Sequence, residues 1–306
     1  MDSTDPWSRV AVVAVTHHSA AVIGACLESV RRAAQIIVVD NASDDDTCAI
    51  VERVAPNAEL IRNAVGVGYG NGANQGLERV RVAFALLANP DSVLAPGAVE
   101  ALVEAADRYP DAALLGPTIV NRDGSVELSH DVSIFERRAY GSRAGEAPPE
   151  GDCCAEFVSG AVALARMAAL GEVGYFDPRL FLYYDDDDIC LRLRRAGYSL
   201  VLAPAAVAEH AGGGSVRPSA GHDWEKFWHM AWSRLYIEEK YHGAASMRRV
   251  AAAQLVRSGL KALGYALALN RRKAWRDAAR ACGAASYLAR IRASKTVPRG
   301  HPLVQD

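Results

Sequence analysis

Two runs of apolar, largely β-branched residues set the architecture of this chain: VAVVAV at 10–15 and IIVVD at 36–40. Neither run alternates with polar residues, which is typical of strands that are covered on both faces of a parallel sheet. Residues 20–33 between them have a helical pattern, and strand and helix continue to alternate up to FALLANPD at 84–91. This order predicts an α/β fold with a doubly wound, mainly parallel sheet.

Short polar segments come directly after three of the predicted strands, at 16–19, 40–46 and 89–91. In doubly wound sheets, ligands bind outside the carboxyl ends of the strands, so these segments indicate a ligand site at that edge. A glycine-rich stretch at 66–76, GVGYGNGANQG, is not a dinucleotide fingerprint. Its glycines miss the GxGxxG register, and it follows the third strand instead of the first.

The composition excludes several classes of protein. The chain has 306 residues, of which 50% are hydrophobic and 23% charged, and this suits a large globular domain with or without an appendage. A net charge of -2 argues against a nucleic-acid binder. Six cysteines without a CxxC pair predict reduced thiols, and the acidic N-terminus does not resemble a signal peptide. We therefore expect a cytoplasmic protein without a membrane-spanning helix.

The second half of the chain has three recognisable segments before its composition changes. NRDGSVELS at 121–129 predicts a β-hairpin, and the polar residues 136–152 predict a mobile loop. FVSGAVALAR at 157–166 predicts another buried strand. From residue 247 onward, alanine, leucine and arginine dominate. We therefore predict a catalytic domain at 1–243 and a basic, amphipathic helical extension at 244–306.

Two residues after predicted strands are candidates for holding a metal. Asp91 in ANPD is either an ordinary turn aspartate or the carboxylate that holds a cation on a diphosphate, since Mg²⁺ is usually held by one or two carboxylates plus phosphate oxygens. His210 precedes three glycines in EHAGGGS and is either a surface histidine or a ligand for the metal or phosphate.

Four consecutive aspartates occupy 185–188 in FLYYDDDDICLRLRRAGY. They precede a predicted helix at 189–196, and a solvated acidic helix start is the simple interpretation. FLYY at 181–184, however, predicts a buried strand. A carboxylate between a buried strand and a helix start can point into a cleft and accept a proton there.

Six segments taken together resemble the family 2 inverting glycosyltransferases, which have the nucleotide-sugar-binding GT-A fold. In order, they are VAVVAVTHHS, IIVVDNASDDDT, GVGYGNGANQG, LLANPD, FLYYDDDDICLRLRRAGY and AVAEHAGGGS. The layout is similar to the rhamnosyltransferase branch, whose bacterial members add rhamnose to a polyprenyl-diphosphate-linked sugar. The resemblance implies metal-dependent transfer of rhamnose from dTDP-rhamnose to such an acceptor, or to another glycan, in cell-envelope polysaccharide synthesis.

The resemblance also implies a role for each aspartate of the run. Asp186 would be the general base that takes the proton of the acceptor hydroxyl. Asp185 and Asp188 would shape the acceptor site and the helix start. Asp187 takes a position that is usually apolar in the family, and we expect it to face solvent because an unpaired buried carboxylate is costly.

Donor and metal positions carry over in the same way. The residues that match the donor-binding positions are Thr16, Asp40, Asn41, Ser43, Gly68, Asn74, Asn89, Ser159, Gly160 and Ala161. Asp91, with His210, would hold Mg²⁺ or Mn²⁺. Asn89 stands where the family's metal motif begins, and an amide is a weaker ligand there than a carboxylate. His17 and His18 replace a Tyr-Asn pair, which leaves the donor preference open.

Other functions are compatible with parts of the pattern. A UDP-sugar donor or a soluble natural-product acceptor would keep the same chemistry. A non-catalytic sugar-nucleotide-binding protein would keep the fold but would not need Asp91, Asp186 and His210 together. A nucleotidyltransferase would need a glycine-rich, basic loop after the first strand, where this chain has THHSAAV.

The C-terminal helices have two interpretations. An apolar stripe at helical spacing is formed by Val256, Leu260, Leu263 and Leu267, and arginines and lysines surround it. The stripe either packs on the catalytic domain or rests on the anionic inner surface of the plasma membrane. A lipid-linked acceptor would favour the second interpretation.

Overall fold

The computed structural model describes residues 5–140, 146, 149–210 and 220–294, which fall into two compact units. The first unit lies within Met1–Gly66, Asn71–Asp177 and Asp186–Val216, and the second lies within Val67–Gly70, Pro178–Asp185 and Arg217–Asp306. The division into domains at residue 243 stays a prediction. Gly243 is the point at which two helical segments meet, with a φ of 81°.

The first unit contains a mixed sheet of ten strands in the described part of the chain, plus a separate two-stranded ribbon. The strands are β1 (Val10–Thr16), β2 (Gln35–Asp40), β3 (Glu59–Arg62), β4 (Phe84–Ala88), β5 (Ser92–Leu94), β6 (Ala112–Asn121), β7 (Val126–Glu127), β8 (His130–Asp131), β9 (Cys153–Cys154), β10 (Phe157–Val158), β11 (Val162–Arg166) and β12 (Ser199–His210). The main path of the sheet is β3-β2-β1-β4-β11-β6-β12-β5, and β8 pairs with β10 in the ribbon.

The helices alternate with these strands up to β12, and the described residues after β12 are mainly helical. They are α1 (Ile23–Ser29), α2 (Thr47–Val54), α3 (Tyr69–Leu77), α4 (Ala98–Arg108), α5 (Arg137–Tyr140), α6 (Met167–Val173), α7 (Asp185–Arg195), α8 (Ala220–Leu267) and α9 (Arg271–Leu288). Of the helices within the described ranges, none has the length and apolar character needed to cross a membrane.

The predicted α/β fold is confirmed. Strands β3, β2, β1 and β4 are parallel, and every residue of β1 and β4 is buried, as their continuous apolar runs require. Strand β11 then runs antiparallel to both of its neighbours, so the sheet is mixed. The register pairs Thr16 with Asp40, which brings the polar segments after β1 and β2 to one edge.

The predicted hairpin is also confirmed, because β6 pairs antiparallel with β7 across the Asp-Gly turn. The predicted strand at 181–184 is wrong. Tyr183 and Tyr184 have φ values of 67° and 65°, which break an extended chain, and α7 begins immediately afterwards at Asp185. The aspartates therefore form the first helical turn, where the helix dipole favours negative charge. Most of the predicted loop at 136–152 follows α5, and residues 141–145, 147 and 148 lie outside the described residues.

The C-terminal helices of the second unit pack closely against each other. Trp224, Trp228 and Trp232 are buried on α8. A Cβ atom added at Gly283 of α9 would lie 2.4 Å from the Trp228 carbonyl oxygen, so only glycine allows this approach. The Trp232 indole donates a 2.8 Å hydrogen bond to the carbonyl of Ile291, which satisfies its polar atom inside the bundle.

Candidate active site

Asp186 lies in the first turn of α7 against the turn that joins β10 to β11. Its carboxylate accepts hydrogen bonds from the backbone N–H groups of Asp187 at 3.0 Å and Gly160 at 3.5 Å. A Cβ atom added at Gly160 would be 3.3 Å from the Cβ of Asp186, so a larger residue would crowd the carboxylate. Burial of this carboxylate raises its pKa, although the two N–H groups oppose the shift. A carboxylate with a raised pKa is a stronger base toward a hydroxyl proton.

Asp187 does not face solvent, and that expectation is wrong. The residue is 5% exposed, and Arg137 holds its carboxylate with Nη2 at 2.6 Å and Nη1 at 3.3 Å. Arg137 belongs to α5, fifty residues earlier in the chain, and its positive charge makes the burial of the Asp187 carboxylate tolerable. Burial, followed by the charge of Asp186, raises the pKa of Asp187 to about 7, and the charge of Arg137 opposes the shift.

Asp188 is fully buried and has a local partner. Its carboxylate accepts a hydrogen bond from Arg192 Nε at 2.8 Å, one helical turn later. Arg192 also donates to the carbonyl oxygens of Val173 and Tyr175, so this ion pair ties α7 to the segment after α6. Asp185 is 6% exposed and begins α7. The acceptor-shaping roles of Asp185 and Asp188 stay predictions.

His210 lies between two carboxylates at the end of β12. Its Nε2 atom is 3.4 Å from Asp91 Oδ1, and its Nδ1 atom is 3.0 Å from Glu127 Oε2. Asp91 and, to a lesser extent, Glu127 raise the pKa of His210 to about 9, so the ring is protonated at neutral pH in this arrangement. The sequence analysis missed Glu127, which the predicted hairpin carries to this position on β7.

This group suits a divalent cation whose other ligands come from a diphosphate. The described residues contain no cluster of three or more histidine, cysteine, aspartate or glutamate side chains arranged around one metal position. Asp91 and His210 nevertheless present a carboxylate oxygen and an imidazole nitrogen to each other, and a cation that retains phosphate oxygens and water needs only one or two protein ligands. Glu127 on the opposite ring nitrogen resembles the carboxylates that orient metal-binding histidines.

The turn that carries Asp91 is connected to the turn that contacts Asp186. The Ala161 carbonyl accepts hydrogen bonds from the Asn89 N–H at 2.8 Å and from Ser92 Oγ at 3.3 Å. Ser159 donates its N–H to the carbonyl of Ser129 at 2.8 Å. The predicted base and the predicted metal ligand therefore belong to one hydrogen-bonded group of loops within the first unit.

The polar residues after β1 and β2 also form a connected group. Asp40 is 2% exposed and accepts hydrogen bonds from Thr16 Oγ1 at 2.9 Å and from both the N–H and the Oγ of Ser43. Asn41 Oδ1 accepts a 3.0 Å hydrogen bond from Asn63. A cavity of about 550 Å³ lies beside Asp40 and Ser43. These bonds give each side chain a structural role, and contact with a nucleotide stays a prediction.

Gly68 and Asn74 have clear structural roles. Gly68 has a φ of 90°, and a Cβ atom there would lie 2.1 Å from the Phe181 carbonyl oxygen, so only glycine fits. The Asn74 amide both donates to the Phe176 carbonyl at 2.9 Å and accepts from the Phe176 N–H at 3.0 Å. Their contacts with the donor stay predictions.

Sequence reasoning did not identify Arg137 or Glu127, which contact residues of the candidate site. Arg137 lies in a segment interpreted as a loop, without any periodic pattern that would have pointed to Asp187. Glu127 was detectable only as a polar residue in a hairpin strand next to the end of β6. Both depend on contacts between segments that are far apart in sequence.

Comparisons with known proteins identify the family of this chain. The family model described as Glycosyl transferase family 2 matches residues 11–174, more than half of the chain. Among curated proteins, the N-acetylglucosaminyl-diphospho-decaprenol L-rhamnosyltransferase of Mycobacterium tuberculosis, from two strains, is 29% identical over 242 residues. The alignment covers 69% of this chain and 79% of that protein.

Solved structures share the fold at low sequence identity. The mannosyltransferase PcManGT from Pyrobaculum calidifontis, in complex with GDP-Man and Mn²⁺, has a TM-score of 0.54 at 18% identity and matches 92% of this chain and 87% of its own. GalNAc-T7 with UDP, GalNAc and Mn²⁺ has a TM-score of 0.53 at 14% identity, over 66% of this chain and 43% of its own. S. aureus TarS has a TM-score of 0.51 at 17% identity, over 73% of this chain and 39% of its own. The chain thus spans less than half of the last two proteins. It belongs to glycosyl transferase family 2 and is a rhamnosyltransferase-like glycosyltransferase with an α/β GT-A fold.

Proposed function

We propose that this glycosyltransferase moves rhamnose from dTDP-rhamnose to a hydroxyl group of a polyprenyl-diphosphate-linked sugar, with inversion at the anomeric carbon, in cell-envelope polysaccharide synthesis. One observation carries the proposal: the Asp186 carboxylate, whose pKa burial raises, contacts a turn that is hydrogen-bonded to the loop of Asp91. A base and a candidate cation ligand are the two groups that this transfer requires.

The chemical step follows from the position of Asp186. The Asp186 carboxylate takes the proton from the acceptor hydroxyl as the acceptor oxygen bonds to the anomeric carbon. The bond between that carbon and the diphosphate oxygen breaks at the same time, through an oxocarbenium-like state, and the nucleoside diphosphate leaves. Attack from the face opposite the leaving group inverts the configuration of the anomeric carbon. The N–H groups of Gly160 and Asp187 hold the carboxylate in place during this transfer.

Asp91 and His210 are the residues that would hold the cation, with Glu127 orienting the imidazole through Nδ1. A bound Mg²⁺ or Mn²⁺ would neutralise the charge that develops on the departing diphosphate. Because His210 must lose a proton before its nitrogen can bind a cation, binding should weaken as the pH falls.

The choice of donor and acceptor is supported by the curated relative. Its name specifies L-rhamnose transfer to N-acetylglucosaminyl-diphospho-decaprenol, and it aligns with more than two thirds of each chain. A UDP-sugar donor is the second candidate, because GalNAc-T7 has the same fold and was solved with UDP. The segment 136–152, which the sequence predicts to be a loop and part of which lies outside the described residues, would help to select the acceptor.

We further propose that the second unit rests on the cytoplasmic face of the plasma membrane. The stripe residues are strongly exposed: Val256 62%, Leu260 67%, Leu263 59% and Leu267 78%. Exposed aliphatic side chains at helical spacing are typical of a surface that meets an apolar phase, so this exposure favours the membrane interpretation. Arg257 and Lys261, both exposed, flank the stripe and match an anionic lipid surface.

Donor turnover is the experiment that tests the proposed function. Release of nucleoside diphosphate is measured from dTDP-rhamnose, UDP-glucose, UDP-galactose, UDP-GlcNAc and GDP-mannose. Each donor is offered with a short-chain polyprenyl-diphospho-GlcNAc acceptor, with Mg²⁺ or Mn²⁺ and with EDTA. We expect metal-dependent release of dTDP only, together with a rhamnosylated lipid product. Release of UDP or GDP would overturn the donor assignment, and donor binding without release would indicate a non-catalytic sugar-nucleotide-binding protein.

A further inference from the structure

Asp186 and Asp187 are neighbours in the first turn of α7, and burial raises the pKa of both carboxylates. Neighbouring carboxylates of this kind repel each other, and they tend to share one proton unless a cation compensates their charge. Asp187 is a departure from the apolar residue that the resemblance leads one to expect at this position. The charge of Asp187 would therefore disturb proton uptake by a base at Asp186, unless the protein neutralises that charge.

Arg137 is the cation that meets this second carboxylate, and it is fixed from several sides. Besides the two contacts with Asp187, its Nε atom lies 3.0 Å from Asp131 Oδ2 on β8. Its guanidinium carbon lies 4.2 Å from the centre of the Phe157 ring on β10, and Asp131 pairs with Phe157 in the ribbon. A planar guanidinium held by two carboxylates and an aromatic face has little freedom to turn elsewhere.

We propose that the Arg137–Asp187 ion pair is a positioning element of the transfer reaction: it neutralises Asp187, so that Asp186 alone is available for the acceptor proton. This inference rests on the proposed role of Asp186 as the base. Arg137 acts through Asp187 and through its own charge near Asp186. Neither Arg137 nor Asp187 needs to touch a substrate.

The other charged or titratable groups near Asp186 do not replace this pair. On α7, Asp188 is bonded to Arg192, and burial raises the pKa of the Cys190 thiol, which stays neutral. Asp131 shares Arg137 from β8. Glu156, next to β10, pairs with Arg194 and accepts the Ser133 N–H, and the turn before β11 contributes the neutral N–H of Gly160. Asp185 precedes Asp186 in the chain and adds further negative charge.

The test measures the pKa of Asp186 in the full chain without substrate. Aspartate is labelled with ¹³C at the carboxyl carbon, the signal of Asp186 is assigned with Asp186→Asn, and the signal is followed by NMR from pH 3 to 9. Asp187→Asn removes a neighbouring negative charge and should lower the pKa of Asp186 by about one unit. Arg137→Met removes the positive charge and should raise it by about one unit. The double variant should return it close to the wild-type value.

The proposal is supported if Asp187→Asn and Arg137→Met shift the pKa of Asp186 in opposite directions and the two shifts cancel in the double variant. A merely structural role of the ion pair would not give pKa shifts of opposite sign in the two single variants. Equal pKa values in all variants, or shifts of the same sign in both single variants, would overturn it. Asp187→Asn keeps the shape of the side chain, so its shift alone decides the question if Arg137→Met does not fold. The acid limb of the kcat/KM profile should move in parallel. A wild-type protein that transfers no sugar would refute the proposed function, while the NMR titration would still report on the ion pair.

Discussion

The start of α7 and the outer face of α8 depart from the usual distribution of residues in opposite ways. At the start of α7, Asp187 and Asp188 are 5% and 0% exposed. On α8, Leu260 and Leu267 are 67% and 78% exposed. Soluble proteins ordinarily bury leucines and expose aspartates, so each region is unfavourable when it is considered alone.

The difference between the regions lies in where the compensation comes from. The buried aspartates have partners inside the first unit, since Arg137 and Arg192 supply the charges. The exposed aliphatic side chains have no such cover in the described part of the chain, and this is expected of a surface that meets an external apolar phase. The comparison therefore separates a candidate active site, whose buried charges have internal partners, from a surface that we propose to attach to a membrane, and each can be disrupted without the other.

The largest effect should come from Asp186→Asn. An amide cannot take the acceptor proton, so turnover should fall by about 10³-fold while donor binding changes less than about threefold. Initial rates of dTDP release and calorimetric titration with the donor would measure the two quantities. Asp123→Asn, in the exposed hairpin turn, is the matched control and should retain full turnover. Near-normal turnover in Asp186→Asn would remove the base from the proposed mechanism.

Asp188→Asn should instead affect stability. Its carboxylate is fully buried against Arg192, and the substitution would remove the negative charge that balances that guanidinium. We expect a loss of about 3 kcal/mol in the free energy of unfolding, as measured by urea denaturation. Asp107→Asn removes an exposed ion pair with Arg9 and should cost less than about 1 kcal/mol. Equal losses in the two variants would mean that burial does not distinguish these pairs.

The sequence predicted those parts of the fold whose signals are local. Apolar runs identified β1, β2 and β4, and the Asp-Gly turn identified the hairpin of β6 and β7. FLYY failed as a strand because its apolar character could not reveal the left-handed backbone of Tyr183 and Tyr184. Composition describes burial, whereas such a φ value depends on the packing of the folded chain.

The candidate site was predictable only in part for a related reason. Asp91 and His210 were candidates because each follows a predicted strand, and Asp186 was proposed as the base because of the family resemblance. The environment of Asp187 was predicted wrongly, because its partner is fifty residues away in a segment without periodicity. A single sequence reports propensities along the chain, and the charge that makes a buried carboxylate tolerable is a property of the fold.

The stripe on α8 should give the next effect in size. Changing both Leu260 and Leu263 to serine removes two exposed aliphatic side chains while leaving the described core intact. Each substitution should reduce the favourable free energy of transfer into lipid by about 1.2 kcal/mol. Binding to vesicles containing phosphatidylglycerol should therefore weaken roughly 50-fold in the double variant. Co-sedimentation measures this, and Val126→Ser, at an exposed valine in the hairpin, should leave it unchanged. Unchanged binding of the double variant would mean that the stripe serves another purpose.

Lys261→Gln should have the smallest effect and should reveal which lipids the surface meets. Lys261 follows Leu260 and is exposed beside the stripe. One cation near an anionic surface contributes about 1 kcal/mol, so binding to phosphatidylglycerol vesicles should weaken about fivefold at low salt. The effect should disappear on pure phosphatidylcholine and shrink at 0.5 M salt, because screening shortens the reach of the charge. Arg81→Gln, an exposed cation of the first unit, is the matched control. An equal loss for Lys261→Gln on both kinds of vesicle would show that the cation acts through packing of the helix, and the anionic surface would then have no part in the attachment.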